Sequence, residues 1–599
     1  MTADAPPHSR EDWEALVRTV LERAGRAPRD ADTPPDQALG TTLQDGIVVP
    51  PLHTAAHTPT DQPAVPGAPD FRRGGAPAGG WELRQRLAHP DPERLRAEAR
   101  ADLDNGADAL WFVLDAGLPD PAAALPHILA GLPPVPVVLE AGSAFPATAT
   151  AFLDHCAATG TPAEAVAGNL GADPTAVLAR GGDPGAQPEL NAALTALARR
   201  TARHHPRLRA ATIDALPYHD AGASPAEELG CSLAAAVSVL RTLTDEGGLL
   251  LETALGQLEF RYAATADQFL TLAKLRAARL LWGRVVGACG AVPDAARQRQ
   301  HAVGSAVELT RRAPWVNMLR ATAACMGAVL GGADAVTVRP FDEGVGVSDP
   351  FARRIARNTQ SILRHEAALG RVIDPAGGSW YVERLTVDLA CRAWEWFQEI
   401  EAHGGLPAAL RSGLIADRLA ATWQRRRADL DRGIEPVTGV SAYPDLDEKP
   451  LHRTPHRAAP GNGGLGTVRR AEGWEALRDQ AAGCDARVTL TGLGLPAGHR
   501  ARLEFATRFF AAGGFRAAEA AATAPVVCLC PADDTGDAEI TAAARAARAA
   551  GARRVLLARR PATGPVPPGV DGLIHQGCDA IAVLTSALDH TDREESSAV

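Results

Sequence analysis

Short apolar runs alternate with longer stretches of helical periodicity through the middle of the chain. The runs lie at 109–114, 135–139, 165–170, 210–215, 249–251 and 335–338. Each predicts a strand. Ala-rich helical segments separate most of them. The clearest spans 265–286, where Leu272, Leu275, Arg279, Trp282 and Val286 recur on one stripe. Strand and helix in alternation predict parallel pairing. About 300 residues of such units from Trp81 onward, with no G-x-G-x-x-G turn after the first strand, predict a closed (β/α)8 TIM barrel over 80–403, not an open doubly wound sheet.

Residues 9–25, SREDWEALVRTVLERAG, predict a capped helix. Ser9 and Asp12 resemble a capping box, Trp13, Leu16, Val17, Val20 and Leu21 form one apolar face, and Gly25 can end it. At roughly the 12 to 15 residue limit for a lone helix in water it must lie on something, its own chain or a partner. Pro-rich, polar sequence follows, so 1–79 reads as a helix and an extended arm. The stretch 404–480 holds helical pieces and then IEPVTGVSAYPDLDEKPLHRTPHRAAPGNGGLG, whose Pro and Gly content predicts a linker. Beyond it, strands at 487–490, 526–530 and 554–557, helices at 501–512 and 538–550, and a terminal apolar run at 581–584 predict a small flavodoxin-like domain over 481–599.

Composition adds exclusions. A chain of 599 residues exceeds one core and suggests roughly two to four domains. A net charge of −10, with no basic stripe among aromatics, argues against nucleic acid and anionic membranes as partners. No apolar run approaches the ~18 residues of a membrane span, and the first residues lack the order of a signal peptide, so a cytoplasmic protein is expected. Nine cysteines, an odd number, suit a reducing compartment. Cys528 and Cys530 alternate in the run APVVCLC with no second Cys or His pair, which predicts core thiols and no metal site. The candidate chemistry lies at the end of the run 210–215, which leads into Tyr218, His219 and Asp220. A strand there hands an imidazole to its C-terminal tip, the end of a parallel barrel where chemistry gathers.

The segments PYHDAGAS, LAKLRAARLLW, RIARNTQSILRHE and RVIDPAGGSWYVERLTVDLACRAW follow in order across 217–394. They closely resemble segments of methylmalonyl-CoA mutase, an adenosylcobalamin-dependent isomerase, whose layout the linker and last domain also match. The resemblance implies a barrel that binds acyl-CoA along its axis and a flavodoxin-like domain that holds cobalamin. Tyr218 and His219 match the family's Tyr-His, whose imidazole lies by the thioester carbonyl. Their other reading is packing residues of a retained loop.

Further positions depart from the family. Active members carry D-x-H-x-x-G, in which the His ligates cobalt, the Asp orients it and the Gly leaves room. That motif falls on Ala497, His499 and Arg502, where only the His remains. The G-x-S-x-L turn falls on Cys528, Cys530 and Ala532, and a later Gly-Gly falls near Ala558 and Arg559. The family's Tyr-Thr-Met is expected near 45–60, where QDGIVVPPLHTAAHTP holds no Tyr. The carboxylate-binding Arg is matched by Asn191, whose amide lacks a bidentate grip. Asp374, Pro375, Gly377, Gly378 and Ser379 keep the family's loop and read as a tight turn. Arg353, Arg354 and Arg357 read as a solvated helix face.

Length and losses resemble the small subunit of the family's bacterial heterodimers. The expectation is a non-catalytic chain that supports a cobalamin-bearing large subunit in isomerising methylmalonyl-CoA and succinyl-CoA. Adenosylcobalamin would sit on the partner and none on this chain, with Tyr218 and His219 vestigial. The alternatives are a free-standing cobalamin-dependent acyl-CoA isomerase with an altered cofactor site, and an acyl-CoA sensor that kept the barrel and lost the chemistry.

Overall fold

Eight parallel strands close on themselves in chain order. They are β1 (Glu82–Leu87), β2 (Ala109–Val113), β3 (Val137–Glu140), β4 (Ala167–Ala172), β5 (Arg207–Asp214), β6 (Leu258–Ala264), β7 (Gln300–Gly304) and β8 (Ala335–Thr337). Ala335 opposite Glu82 and Val336 opposite Leu83 complete the ring. The computed structural model describes residues 9–24, 34, 38–59, 65–69, 71–75, 79–115, 117–456, 463–518, 524–561 and 565–591.

Alternation along each strand sorts its side chains. On β2, Leu110 and Phe112 join the main core beneath the surrounding helices, whereas Trp111 and Val113 join Val138, Leu216, Ala263 and Val303 in an inner cluster. Five of the six apolar runs are barrel strands. The sixth is not: the run 249–251 ends a turn and opens the short helix Leu251–Leu255, and Leu250 is 76% exposed. The strand comes later, at β6. No apolar run marked β1 or β7, because they place Arg84 and His301 in the interior, where apolar residues were expected.

Five further strands, β9 (Arg487–Leu493), β10 (Arg516–Ala517), β11 (Val526–Pro531), β12 (Arg554–Ala558) and β13 (Gly572–Ile574), form a second, all-parallel sheet in the order β10-β9-β11-β12-β13. The run 581–584 belongs to the helix Ala580–Leu588, capped by Asp579, and the last strand precedes it. A short apolar run does not by itself distinguish helix from strand.

The segment expected as a linker is well packed. It carries the helices Leu406–Ser412 and Leu414–Asp431, and Leu430, Val437 and Val440 enter the core beneath the second sheet. Residues 463–471 then cross the C-terminal end of the barrel. The N–H groups of Leu465, Val468 and Arg470 donate to the carbonyls of Ala179, Asp220 and Val307 at 2.8, 2.8 and 2.9 Å, in the segments after β4, β5 and β7.

At the N-terminus the helix Arg10–Arg23 has the expected capping box, with Leu21 buried and Leu16 and Val20 exposed. A hairpin of Thr41–Thr42 with Val48–Val49 follows, and the Asp45 carboxylate between its strands accepts the Ala226 N–H at 3.3 Å. Among the described residues no helix is long and apolar enough to cross a membrane.

Candidate functional site

Past β5 a single helical turn, Leu216–Asp220, seats Tyr218 and His219 at the C-terminal end of the barrel. Both are buried. His219 Nε2 pairs with Ser305 Oγ at 2.7 Å, and Nδ1 lies 3.5 Å from Glu228 Oε2. Glu228 also accepts Lys274 Nζ at 2.5 Å and the Ala263 N–H at 2.8 Å. Burial pushes the Glu228 carboxyl up, but the Lys274 ammonium and His219 outweigh it and the net shift is down. Burial holds the Tyr218 hydroxyl well above its usual range. The imidazole is thus shared between a hydroxyl and a carboxylate that Lys274 already neutralises. This network braces the barrel helices, with Nε2 hydrogen-bonded to Ser305 and Nδ1 facing the Glu228 carboxylate.

The barrel axis is filled. The Arg261 guanidinium lies 4.1 Å from the Trp111 ring centroid and that of Arg86 5.5 Å, while His301 meets the same ring edge-on at 5.3 Å. Trp111 Nε1 donates to Glu140 at 3.2 Å. Arg261 donates to Glu140 at 2.6 Å and to Asp214 at 3.2 Å, and Arg180 to Asp214 at 2.7 Å. Toward the N-terminal ends, Arg84 and Arg299 converge on Glu259 at 2.5 and 2.9 Å, and His301 Nε2 pairs with Thr337 Oγ1 at 2.8 Å. Burial, then the Arg84 and Arg261 charges, push the His301 pKa well below its usual value, so this imidazole is neutral at pH 7. Beside Glu140, Thr212 and Arg261 remains a cavity of about 20 Å³, room for one water. An acyl-CoA chain cannot run along this axis without displacing an indole and several paired, buried ions.

Sequence reasoning missed Trp111, Arg261, Arg84, Glu259 and His301. A usable signal was the pattern of LEFRYAA and ELRQRL, where charges alternate with apolar residues at strand spacing. Asn191 lies in the helix Gln187–His204 and joins none of the hydrogen bonds linking the axial side chains. Residues 44–59 contribute the arm's hairpin and His53, which meets Tyr381 at 5.0 Å. Asp374, at φ +50°, accepts from Arg276 and, at 2.7 Å, from Arg73, while Glu383 accepts from Arg276 at 2.5 Å and from the Gly378 N–H at 3.1 Å. This loop ties the arm to the barrel helices. The reading of a solvated face fails for Arg353 and Arg357. Both reach across to the buried carboxylate of Asp102, Arg357 at 2.6 Å, and only Arg354 is exposed, over Phe351.

In the second sheet His499 lies in the first turn of the helix Pro496–Ala512, with Nδ1 3.2 Å from the Leu493 carbonyl of its own strand. Three residues on, Arg502 donates to the Pro531 carbonyl at 2.5 Å and pairs with Asp533. A Cβ placed on Gly498 would meet that of Ala532 at 2.7 Å, so the segments following β9 and β11 touch. The crevice outside the carboxyl ends of those strands, where such sheets bind ligands, is occupied by the protein itself. Ala497 offers no carboxylate to orient His499. These residues do not fit cobalamin. Cys528 and Cys530 are buried core thiols in β11.

The sequence profile of the family described as methylmalonyl-CoA mutase matches residues 127–482. The chain is 50% identical to the methylmalonyl-CoA mutase small subunit of Streptomyces virginiae, across 98% of both chains. It is 38% identical to the probable methylmalonyl-CoA mutase small subunit of Mycobacterium tuberculosis (strain ATCC 25618 / H37Rv), across 93% of this chain and 94% of the relative. With the methylmalonyl-CoA mutase small subunit of Propionibacterium freudenreichii subsp. shermanii it shares 33% identity across 98% and 96%.

Proposed function

The chain belongs to the methylmalonyl-CoA mutase family, and from that premise we propose that it is the smaller, non-catalytic member of a heterodimer. Its partner is a large mutase subunit that carries adenosylcobalamin and the acyl-CoA, and the complex isomerises methylmalonyl-CoA and succinyl-CoA. The observation that carries this reading is the filled barrel axis, with Trp111 between Arg261, Arg86 and His301.

Three further features support it. Residues 463–471 lie across the barrel mouth, the crevice of the second sheet is occupied, and His219 is engaged by Ser305 and Glu228. Tyr218 and His219 are then retained as packing. The two rival readings, a free-standing isomerase with an altered cofactor site and an acyl-CoA sensor, both need an acyl-CoA channel that these side chains fill.

We read the chain as an N-terminal helix and arm (1–79), a barrel (80–403), a connecting segment (404–480) and a flavodoxin-like domain (481–599). The strand order of the second sheet, first-numbered strand inside second and then three in sequence, supports the last assignment. Nine free cysteines support a cytoplasmic location. The test is an absorbance titration of the isolated chain with adenosylcobalamin. No spectral change up to physiological concentration is expected, and a base-off, His-coordinated spectrum at micromolar affinity would overturn the reading.

A further inference from the structure

Beside the barrel's C-terminal end, two loops interlock in a strained arrangement. Ala313, just before Trp315, has φ +46°, and Tyr443 has φ +54°, a region that side-chain-bearing residues avoid. The loops meet where a Cβ on Gly439 would lie 2.6 Å from that of Ala313. Glu448 accepts the Ala313 N–H at 2.7 Å, and Arg320 donates to the Thr438 carbonyl at 2.7 Å. This strained backbone carries two large aromatic side chains into solvent. Trp315 is 51% and Tyr443 78% exposed.

Trp315 stacks on Phe341 at 4.8 Å, which meets the exposed Phe351 edge-on at 6.1 Å. Leu319, one turn beyond Trp315, is also exposed and lines a groove with Val316 and Val437 and the charged Arg320, Glu435 and Arg470, and Ile434, next to Glu435, is exposed too. The charges of Arg354, Asp445, Asp447 and Lys449 stand exposed on the neighbouring segments. Strain of this kind persists only where the surrounding structure holds it, and it clusters at functional sites. Exposed Trp and Tyr within a charged rim make the usual centre of a protein interface.

We infer that the face formed by Trp315, Leu319, Phe351, Ile434 and Tyr443 is where the large mutase chain docks. The inference rests on the pairing reading above and adds its location. Relatives matched along nearly their whole length are named small subunits, so a larger companion is the occupant at hand. A second copy is disfavoured because a chain of net charge −10 repels its like.

The test measures the affinity of this chain for the large mutase chain of the same organism by calorimetry. The double variant Trp315→Ala with Tyr443→Ala should bind at least 100-fold more weakly. Tyr443→Gly separates interface from fold, because glycine accepts the positive φ. It should raise the melting temperature of the isolated chain while weakening the complex at least tenfold. Unchanged affinity in the double variant, with the wild-type chain binding, overturns this face and leaves the pairing reading standing. A wild-type chain that does not bind the large chain overturns both. If the isolated chain is a dimer that the double variant makes monomeric, the occupant is a second copy and the inference fails.

Discussion

The guanidinium of Arg261 lies 4.1 Å above the ring of Trp111, on the axis of a closed eight-stranded barrel. The pair fills the channel that acyl-CoA would need and is part of the chain's own core. Trp111→Ala should therefore cost about 3–5 kcal/mol of stability, the usual price of a large core truncation. It should not create acyl-CoA binding, because Arg261, Glu140 and Asp214 remain paired across the axis. Urea melts and calorimetry with succinyl-CoA check both halves. Micromolar binding by the variant would mean that a latent channel survives behind one side chain.

His219→Ala removes the group between Ser305 and Glu228. Glu228 keeps Lys274 and the Ala263 N–H, so the loss should be modest, about 1–3 kcal/mol for a buried hydrogen-bonding partner. Turnover of the reconstituted heterodimer should stay within about threefold of wild type, less than roughly 1 kcal/mol in barrier. A fall of orders of magnitude in an intact dimer would make this barrel an active site.

The limits of the sequence share one physical cause with the filled axis. A run such as 109–114 was legible as a strand because both faces are apolar. β1, with Glu82, Arg84 and Arg86, and β7, with His301, were not, because their interior faces are charged. The same inversion in β6, with Glu259 and Arg261, shifted the expected strand to the leucines at 249–251. Tyr218 and His219 could be placed at a strand tip from local order, but their partners Ser305, Glu228 and Lys274 come from distant segments, which only the fold unites. The linker's Pro and Gly concealed its packing because the bonds that hold 463–471 run to distant barrel loops.

Gly464 lies against Arg180 and Gly181, where an added Cβ would come within 2.3 Å of backbone. Gly464→Val should therefore lift the segment from the barrel mouth. Hydrogen exchange at Leu465 and Val468 should accelerate at least tenfold while the barrel strands stay protected. Unchanged exchange would show that the segment is held from elsewhere.

Asp45 docks the arm's hairpin at the start of the helix Pro225–Arg241. Burial, with a contribution from Glu227, pushes its carboxyl up to about 6, against the Ser224, Ala226 and Arg418 contacts that lower it. A free Asp titrates near about 3.9. The docked form therefore binds the proton more tightly, and its contribution is fully present below about pH 3.9 and fades as pH rises through about 6. Protection of residues 41–49, corrected for intrinsic exchange, should be greater at pH 5 than at pH 8, and Asp45→Asn should abolish the difference. Greater protection at pH 8 would contradict the assignment.

This chain is predicted to hold no cofactor of its own and to work beside one that does. The cobalamin content of the purified, active heterodimer tests it most directly. One adenosylcobalamin per pair of chains is predicted, unchanged by His499→Ala. Two per pair, falling to one in that variant, would contradict it.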